Sequence, residues 1–398
     1  MHILEAYSTS CGLKIDKPFI SEKFYAIPAD KYITIHTGDG KYDSRNYSYW
    51  QDVVDFLSVF LAKEGISIVQ VGGEKDPSLK NLINSNGRTS INQLAFILKN
   101  SLLHLGIDSL PIHLASSYGK KIVALYSNVP SQNSGPYWSE KKDVILIESD
   151  KDGDKPTYAK VEIPRTIDTI KPDKIFRSVL DLLNIDYKFP YKVLALGKEY
   201  NKTVVEYIPD YKFNLKKVSP LFIRMDLEHN EEMASDCLKN NKAVVITNKP
   251  LSDSFLEKNK PNIQSIMLRV NEAGLSSFAE RVKNNCIELR VISKLKGEEL
   301  EDIKMEFLDI SLVKSEKIIK KQDIKALDGI DINSLFYLPN KFTLSKGKVF
   351  DSVYAYKQNE PSDQLVKKLK KLKYDHDDFW DESEHFCFLE KVLTEDQE

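Results

Sequence analysis

The chain has 398 residues, too many for one compact core and enough for two domains. A formal net charge of −2 excludes a chain-wide basic footprint for nucleic acid, and 41% hydrophobic with 29% charged residues excludes a disordered majority. No apolar run approaches the ~20 residues of a membrane span, the start MHILEAYSTSCGL lacks the regions of a signal peptide, and the four scattered cysteines form no Cys-x-x-Cys pair for structural zinc, so a reduced, cytoplasmic protein is expected.

Residues 32–36 (YITIH) read as a strand, followed by a loop to Asn46. Apolar residues at Val53, Val54, Leu57, Phe60 and Leu61 carry helical spacing over 50–64, and Gly65 ends that helix. A buried strand over 67–71 closes on Gly72-Gly73. There follow a helix at 90–99, a strand at 102–105, a helix at 112–118, strands at 121–126 and 144–148, and a helix at 172–183 with proline in its first turn. Strands apolar on both faces, alternating with helices, imply a parallel sheet covered on both sides.

Residues 184–191 read as a connection, which places the domains at 1–187 and 188–398. The second domain shows strands at 192–196, 221–226, 243–247, 265–270 and 288–293, with helices at 230–240, 252–258, 275–284 and 298–308. This is a second doubly wound α/β unit. Beyond Ile310 the rhythm weakens. A hairpin is expected over 341–351 around Lys346-Gly347. A lysine-rich helix is expected over 362–373, with Leu365, Leu369 and Leu372 inward. In the tail from Tyr374, Phe379 and Trp380 read as core anchors, and Asp377, Asp378, Asp381 and Glu382 as a solvated acidic turn rather than a metal site.

Open α/β sheets bind ligands beyond the carboxyl ends of their strands, where helix N-termini and loop amides converge. Two such units facing each other would form a cleft at those ends. Thr37 and Gly38 follow the first strand, Gly72, Gly73 and Glu74 the second, and Asp108 and Ser109 the strand at 102–105. Thr37, Gly38, Ser44 and Arg45 offer the amides, hydroxyls and cation that phosphates need. Glu74 suits ribose hydroxyls. Ser109 suits a diphosphate, and Asp108 suits a sugar hydroxyl or His113 one helical turn on; both also suit the N-cap of the helix opening near Pro111. His36 reads as structural.

Several ordered blocks carry a resemblance. Asp108-Ser109-Leu110-Pro111-Ile112-His113-Leu114-Ala115 is followed by Gly119-Lys120-Lys121, by Ala124-Leu125-Tyr126-Ser127 and by Gly135-Pro136-Tyr137. Upstream stand His36-Thr37-Gly38, VQVGGEKD, and Gly87-Arg88-Thr89-Ser90 with Gln93-Leu94-Ala95. From about residue 31 to 183 this series resembles the nucleotide-sugar-binding half of glycosyltransferase family 9, the heptosyltransferase-like enzymes of GT-B architecture. Leu110 and Ser127 stand where that family has glycine. The family's acceptor lobe precedes its donor lobe; here only about 30 residues precede, and the second α/β unit follows. The region after about Tyr191 resembles no family that we recognise.

The resemblance implies a GT-B-like pair of doubly wound Rossmann-type domains with the lobe order rearranged. It implies a nucleotide-sugar donor held by Thr37, Gly38, Ser44, Arg45, Gly73, Glu74, Thr89, Asp108, Ser109 and His113, and transfer to a glycan-type acceptor without a metal or cofactor. The catalytic base is then expected from the second lobe: Asp226, after the strand LFIRM, or Glu272, after SIMLRV. Two alternatives stay open. One is a phage-type glycosyltransferase acting on a modified DNA base in the host cytoplasm. The other is a non-catalytic nucleotide-sugar-binding module.

Overall fold

In the computed structural model, which describes every residue except 39, 216, 317, 363–364, 374 and 393–398, the chain divides into two units, Met1–Phe189 and Pro190–Glu398. Unit 1 carries a six-stranded sheet in the order β3-β2-β1-β4-β5-β6. Its strands are β1 (Tyr32–His36), β2 (Ser67–Gln70), β3 (Ile83–Asn84), β4 (Leu103–Ile107), β5 (Lys121–Tyr126) and β6 (Val144–Glu148), and every pairing is parallel. All residues of β1 and β4 are buried, the pattern of strands covered on both faces.

The helices of unit 1 are α1 (Ile3–Cys11), α2 (Trp50–Leu61), α3 (Ile91–Asn100), α4 (Leu110–Ser117), the short α5 (Ser131–Ser134) and α6 (Pro172–Leu183). The apolar stripe of α2 is buried at Val53, Val54, Leu57 and Leu61, each worth about 1.5–3 kcal/mol. A capping box between Ser90 and Gln93 starts α3, and α6 begins on Pro172 as the sequence implies. The sequence reading missed α1, which buries none of its own residues and is tied down by His2, whose Nε2 lies 3.0 Å from the Gly135 carbonyl.

Unit 2 contains an eight-stranded sheet in the order β13-β12-β11-β10-β9-β8-β15-β16. The first four strands of the unit in chain order are β7 (Tyr191–Leu196), β8 (Val204–Tyr207), β9 (Leu221–Arg224) and β10 (Ala243–Thr247). They are followed by β11 (Ile263–Arg269), β12 (Leu289–Ser293), β13 (Val313–Ser315), β14 (Leu335–Pro339), β15 (Lys341–Ser345) and β16 (Lys348–Phe350). All pairs in the eight-stranded sheet are parallel except the β15–β16 hairpin, whose turn places Lys346 and Gly347 at φ 49° and 73°. Helices α7 (Glu231–Leu238), α8 (Asp253–Asn259), α9 (Ser276–Asn284) and α10 (Glu298–Glu306) share one core with Val205, Ile223, Val245, Ile266 and Val291. The alternate positions Glu206 and Arg224 fall on the other face.

A second, four-stranded antiparallel sheet, β17-β14-β18-β7, was not expected. It contains β17 (Lys370–Lys371) and β18 (Phe386–Lys391). The strand expected at 192–196 in the parallel sheet pairs here instead: Val193 and Ala195 are buried while their neighbours are partly exposed, the alternation of a half-buried antiparallel strand. The helix expected over 362–373 does not form. Ser362 bridges to Val349, Lys370–Lys371 is strand, the Leu372 amide donates to the Leu335 carbonyl, and Leu365 is 46% exposed; Asp363 and Gln364 lie outside the described residues. Sheet pairing overrides the helical spacing of lysine and leucine. Short helices α11 (Val353–Lys357) and α12 (Asp377–Trp380) flank this sheet, and Phe379 and Trp380 are buried with Phe386 and Phe388 as core anchors; Tyr374 lies outside the described residues. Among the described residues no helix is long and apolar enough to cross a membrane.

Candidate functional site

The order 3-2-1-4-5-6 reverses direction between β1 and β4, and the chain leaves those neighbouring strands toward opposite sides. A pocket of about 780 Å³ opens at that point. Of the residues expected to bind a donor, Gly38, Arg45, Gly73, Glu74, Thr89, Asp108, Ser109 and His113 line it. They come from the loops after β1, β2 and β4 and from the start of α3 and α4. Lys75, Asp76 and His36 also line it.

Arg45 and Asp108 brace one wall. Arg45 Nη1 donates to the Asp108 carbonyl at 2.7 Å, Nη2 lies 3.2 Å from the Asp108 carboxylate, and Nε donates to Asn128 Oδ1 at 3.3 Å. The guanidinium also sits 4.5 Å from the centre of the Tyr42 ring. Asp108 accepts from Ser134 Oγ at 2.9 Å, and its other oxygen is 3.8 Å from His113 Nε2. Burial pushes the His113 imidazole below its ordinary range, against the opposing pull of Asp108.

Ser109 takes the N-cap position of α4 without capping it with its side chain. Its Oγ lies 2.8 Å from His36 Nδ1 and 3.0 Å from the Ile107 carbonyl. His36 Nε2 is 3.4 Å from Asp76, whose same oxygen accepts the Gly73 amide at 2.7 Å. His36 is therefore not merely packed: it joins the loop after β2 to the helix after β4. Neither His36 nor Asp76 was singled out as a ligand-facing residue, although Asp76 lies only two positions beyond Glu74. Gly87, at φ +69°, lets the Glu74 loop close in, because a Cβ there would meet Glu74 Cα at 2.9 Å.

Two of the expected donor residues do not face the pocket. The Thr37 hydroxyl is buried and accepts from Gln70 Nε2 at 2.9 Å, while its carbonyl accepts from Trp50 Nε1 at 3.1 Å. Ser44 is fully buried and donates to the Ala159 carbonyl at 2.8 Å. Both hold the loop in place rather than offering it hydroxyls.

The two candidate bases differ in their surroundings. Asp226 is buried and clamped: Arg224 donates to its two oxygens at 2.8 and 2.9 Å, and Arg269 donates at 2.6 Å. Burial alone would raise this carboxyl, but the two guanidinium groups prevail and hold it below its ordinary range. A carboxylate so neutralised is a poor proton acceptor. Glu272 stands exposed in the loop between β11 and α9. Among the described residues no three His, Cys, Asp or Glu side chains are grouped to hold a metal ion.

Residues 5–160 match the model of glycosyltransferase family 9 (heptosyltransferase). That stretch contains the whole pocket. Among solved structures, the chain is similar to a glycosyl transferase of family 9 from Veillonella parvula, with 19% identity over 45% of this chain and 50% of that one, at a TM-score of 0.34. It is similar to the ADP-heptose lipopolysaccharide heptosyltransferase II of E. coli, with 17% identity over 45% and 50% of the two chains and a TM-score of 0.32. It is also similar to the E. coli heptosyltransferase WaaC solved with ADP, at 12% identity, 45% and 54% coverage and a TM-score of 0.30. The chain thus spans about half the length of these proteins. No curated protein matches the sequence.

Proposed function

We propose that the protein is a nucleotide-sugar-dependent glycosyltransferase that acts on a glycan-type acceptor without a divalent metal. The observation that carries this reading is the pocket at the β1/β4 switch point, lined by eight residues expected to bind a donor and contained within the family-matched stretch. In this reading the diphosphate lies across the start of α4, whose amide dipoles favour anions, with Arg45 and Lys75 as cations and Ser109 as hydroxyl donor. Glu74 accepts from ribose hydroxyls. Asp108 and His113 face the sugar.

Transfer breaks the bond between the anomeric carbon and the diphosphate oxygen, and forms one to an acceptor hydroxyl oxygen. The hydroxyl proton passes to a base. The leaving diphosphate gains negative charge, so cations and donors fixed around it stabilise the transition state more than the ground state. Each such donor is worth about 10²–10³ in rate.

The test is to incubate the full chain with a panel of nucleotide sugars and acceptor glycans and follow nucleoside diphosphate release. Release that depends on an acceptor and persists in EDTA supports the reading. Turnover abolished by EDTA and restored by magnesium or manganese would refute metal independence. Absence of release with every donor would refute the enzyme.

A further inference from the structure

The Ser109 hydroxyl has more claimants than hydrogens. It carries one hydrogen and two lone pairs. Its Oγ lies 3.0 Å from the Ile107 carbonyl, which can only accept, and 2.8 Å from His36 Nδ1, which donates or accepts according to its protonation. Ser109 also lines the unit 1 pocket, where a phosphate oxygen would be a further contact able only to accept. On the far side of the ring, His36 Nε2 is 3.4 Å from the Asp76 carboxylate, another acceptor.

The hydrogens separate the states of His36. A neutral ring has one N–H. On Nε2 it serves Asp76; Nδ1 then takes the Ser109 hydrogen, and the hydroxyl has nothing left to donate to a ligand. On Nδ1 it serves Ser109, but the Nε2 lone pair then faces the carboxylate. Only the imidazolium has an N–H for each neighbour. Nε2 then donates to Asp76, Nδ1 donates to Ser109, and the Ser109 hydrogen is free for Ile107 or, once an anion arrives, for a phosphate oxygen.

The other charged and titratable groups around the ring do not supply that hydrogen. Asp76 is the carboxylate in contact, and it also accepts the Gly73 amide. His104, on the paired strand β4, is lowered to about 3 by burial and by His36, and so is neutral. Arg45 is held by Asp108, while Lys75 and Glu74 line the pocket with opposite charges. His113, the other histidine of the pocket, lies 3.8 Å from Asp108.

We infer that binding of the donor's diphosphate takes up a proton on His36, which turns the Ser109 hydroxyl toward the phosphate. The inference deepens the donor reading of this pocket and rests on it. His36 is a positioning residue: it acts on the ligand through Ser109, and Asp76 holds its second N–H. By linkage, a complex that holds the proton more tightly than the free protein has its highest affinity at acid pH and loses affinity as the pH rises.

The experiment is calorimetric titration of the full chain with ADP-glucose, UDP-glucose and GDP-mannose, from about pH 6 to about pH 8.5, in buffers of different ionisation enthalpy, which counts the protons exchanged. A nucleotide sugar is the probe because each of its phosphates has a single, strongly acidic hydroxyl, so the ligand itself does not titrate in this range. Uptake should reach about half a proton or more per ligand, with affinity about tenfold higher at the acid end. His36→Asn places an amide N–H near the position of Nδ1 and cannot titrate, so it should bind with a flat pH profile and no uptake. Ser109→Ala should bind more weakly and lose most of the uptake, and it serves if His36→Asn does not fold. His113→Gln should retain the uptake, whatever it does to affinity. Uptake that His36→Asn or Ser109→Ala leaves undiminished, or that His113→Gln removes, would overturn the assignment. Binding with no proton exchange, or with proton release, refutes the inference and leaves the donor reading standing. Failure of all three nucleotide sugars to bind at millimolar concentration refutes the donor pocket, and the inference with it.

Discussion

Arg45 joins two strand ends, because its guanidinium holds both the carbonyl and the carboxylate of Asp108. A lysine cannot reproduce that fork. Arg45→Ala and Arg45→Lys should therefore both weaken nucleoside diphosphate binding by about tenfold or more by calorimetry, and full binding by the lysine variant would reduce Arg45 to a point charge. Asp226 has a different outcome. Removing one charge from between Arg224 and Arg269 leaves each arginine a single carboxylate, Glu206 and Glu316, and weakens the network that ties β9 to β11. Asp226→Asn should lower the urea midpoint of unit 2 rather than remove transfer selectively; normal stability with lost turnover would restore it as a base. Its aspartate was legible as a strand-end residue, but its partner Arg269 lies 43 positions away and was not.

His104 gives unit 1 a pH dependence. It is fully buried on β4, with Nδ1 3.0 Å from Thr34 Oγ1 and Nε2 without a partner. Burial, reinforced by His36, lowers it from 6.5 to about 3. The unfolded chain therefore binds the proton first. Stability is fully present above about pH 6.5 and falls by ~1.4 kcal/mol per pH unit as the pH drops toward 3. His104→Gln keeps a partner for Thr34 and removes the titration, so urea unfolding of the variant should show a flatter slope across that window. Equal slopes would assign the acid sensitivity to other groups.

At the scale of elements, what could be read from the sequence depended on burial. The strands β1, β5 and β10 were legible to the residue because parallel strands covered on both faces are continuous apolar runs. The antiparallel sheet of unit 2 was not, since β14, β17 and β18 come from a charged, aromatic stretch and pair with one another, with β18 also pairing with β7, nearly 200 positions upstream. The pocket was legible where loops follow strands at once, and illegible at His36 and Asp76, whose roles arise only when β1, β2 and β4 lie side by side. Gly87 tests this loop packing. Gly87→Ala meets both a φ of +69° and the Glu74 backbone, so it should cost about 1–3 kcal/mol and weaken nucleotide binding together. Ser90→Ala, three residues on, should cost about 1 kcal/mol through the lost cap of α3. A Gly87→Ala variant no worse than Ser90→Ala in both measurements would show that the Glu74 loop does not need the close approach.

For the whole molecule, the two units carry separate cavities at the carboxyl edges of separate parallel sheets, one matched by a family model and one not. Function stands or falls on the first. A ligand that binds the folded form at 100 times its Kd adds about 2.7 kcal/mol of stability, enough to read as a thermal shift. The deciding measurement is calorimetric titration of the full chain and of Arg45→Ala with ADP, GDP, UDP, CDP, dTDP and their sugar conjugates. The account predicts micromolar binding of at least one nucleoside diphosphate and its sugar conjugate to the native chain, weakened about tenfold or more in the variant. No binding of any of them at millimolar concentration, or binding that Arg45→Ala leaves unchanged, would contradict it.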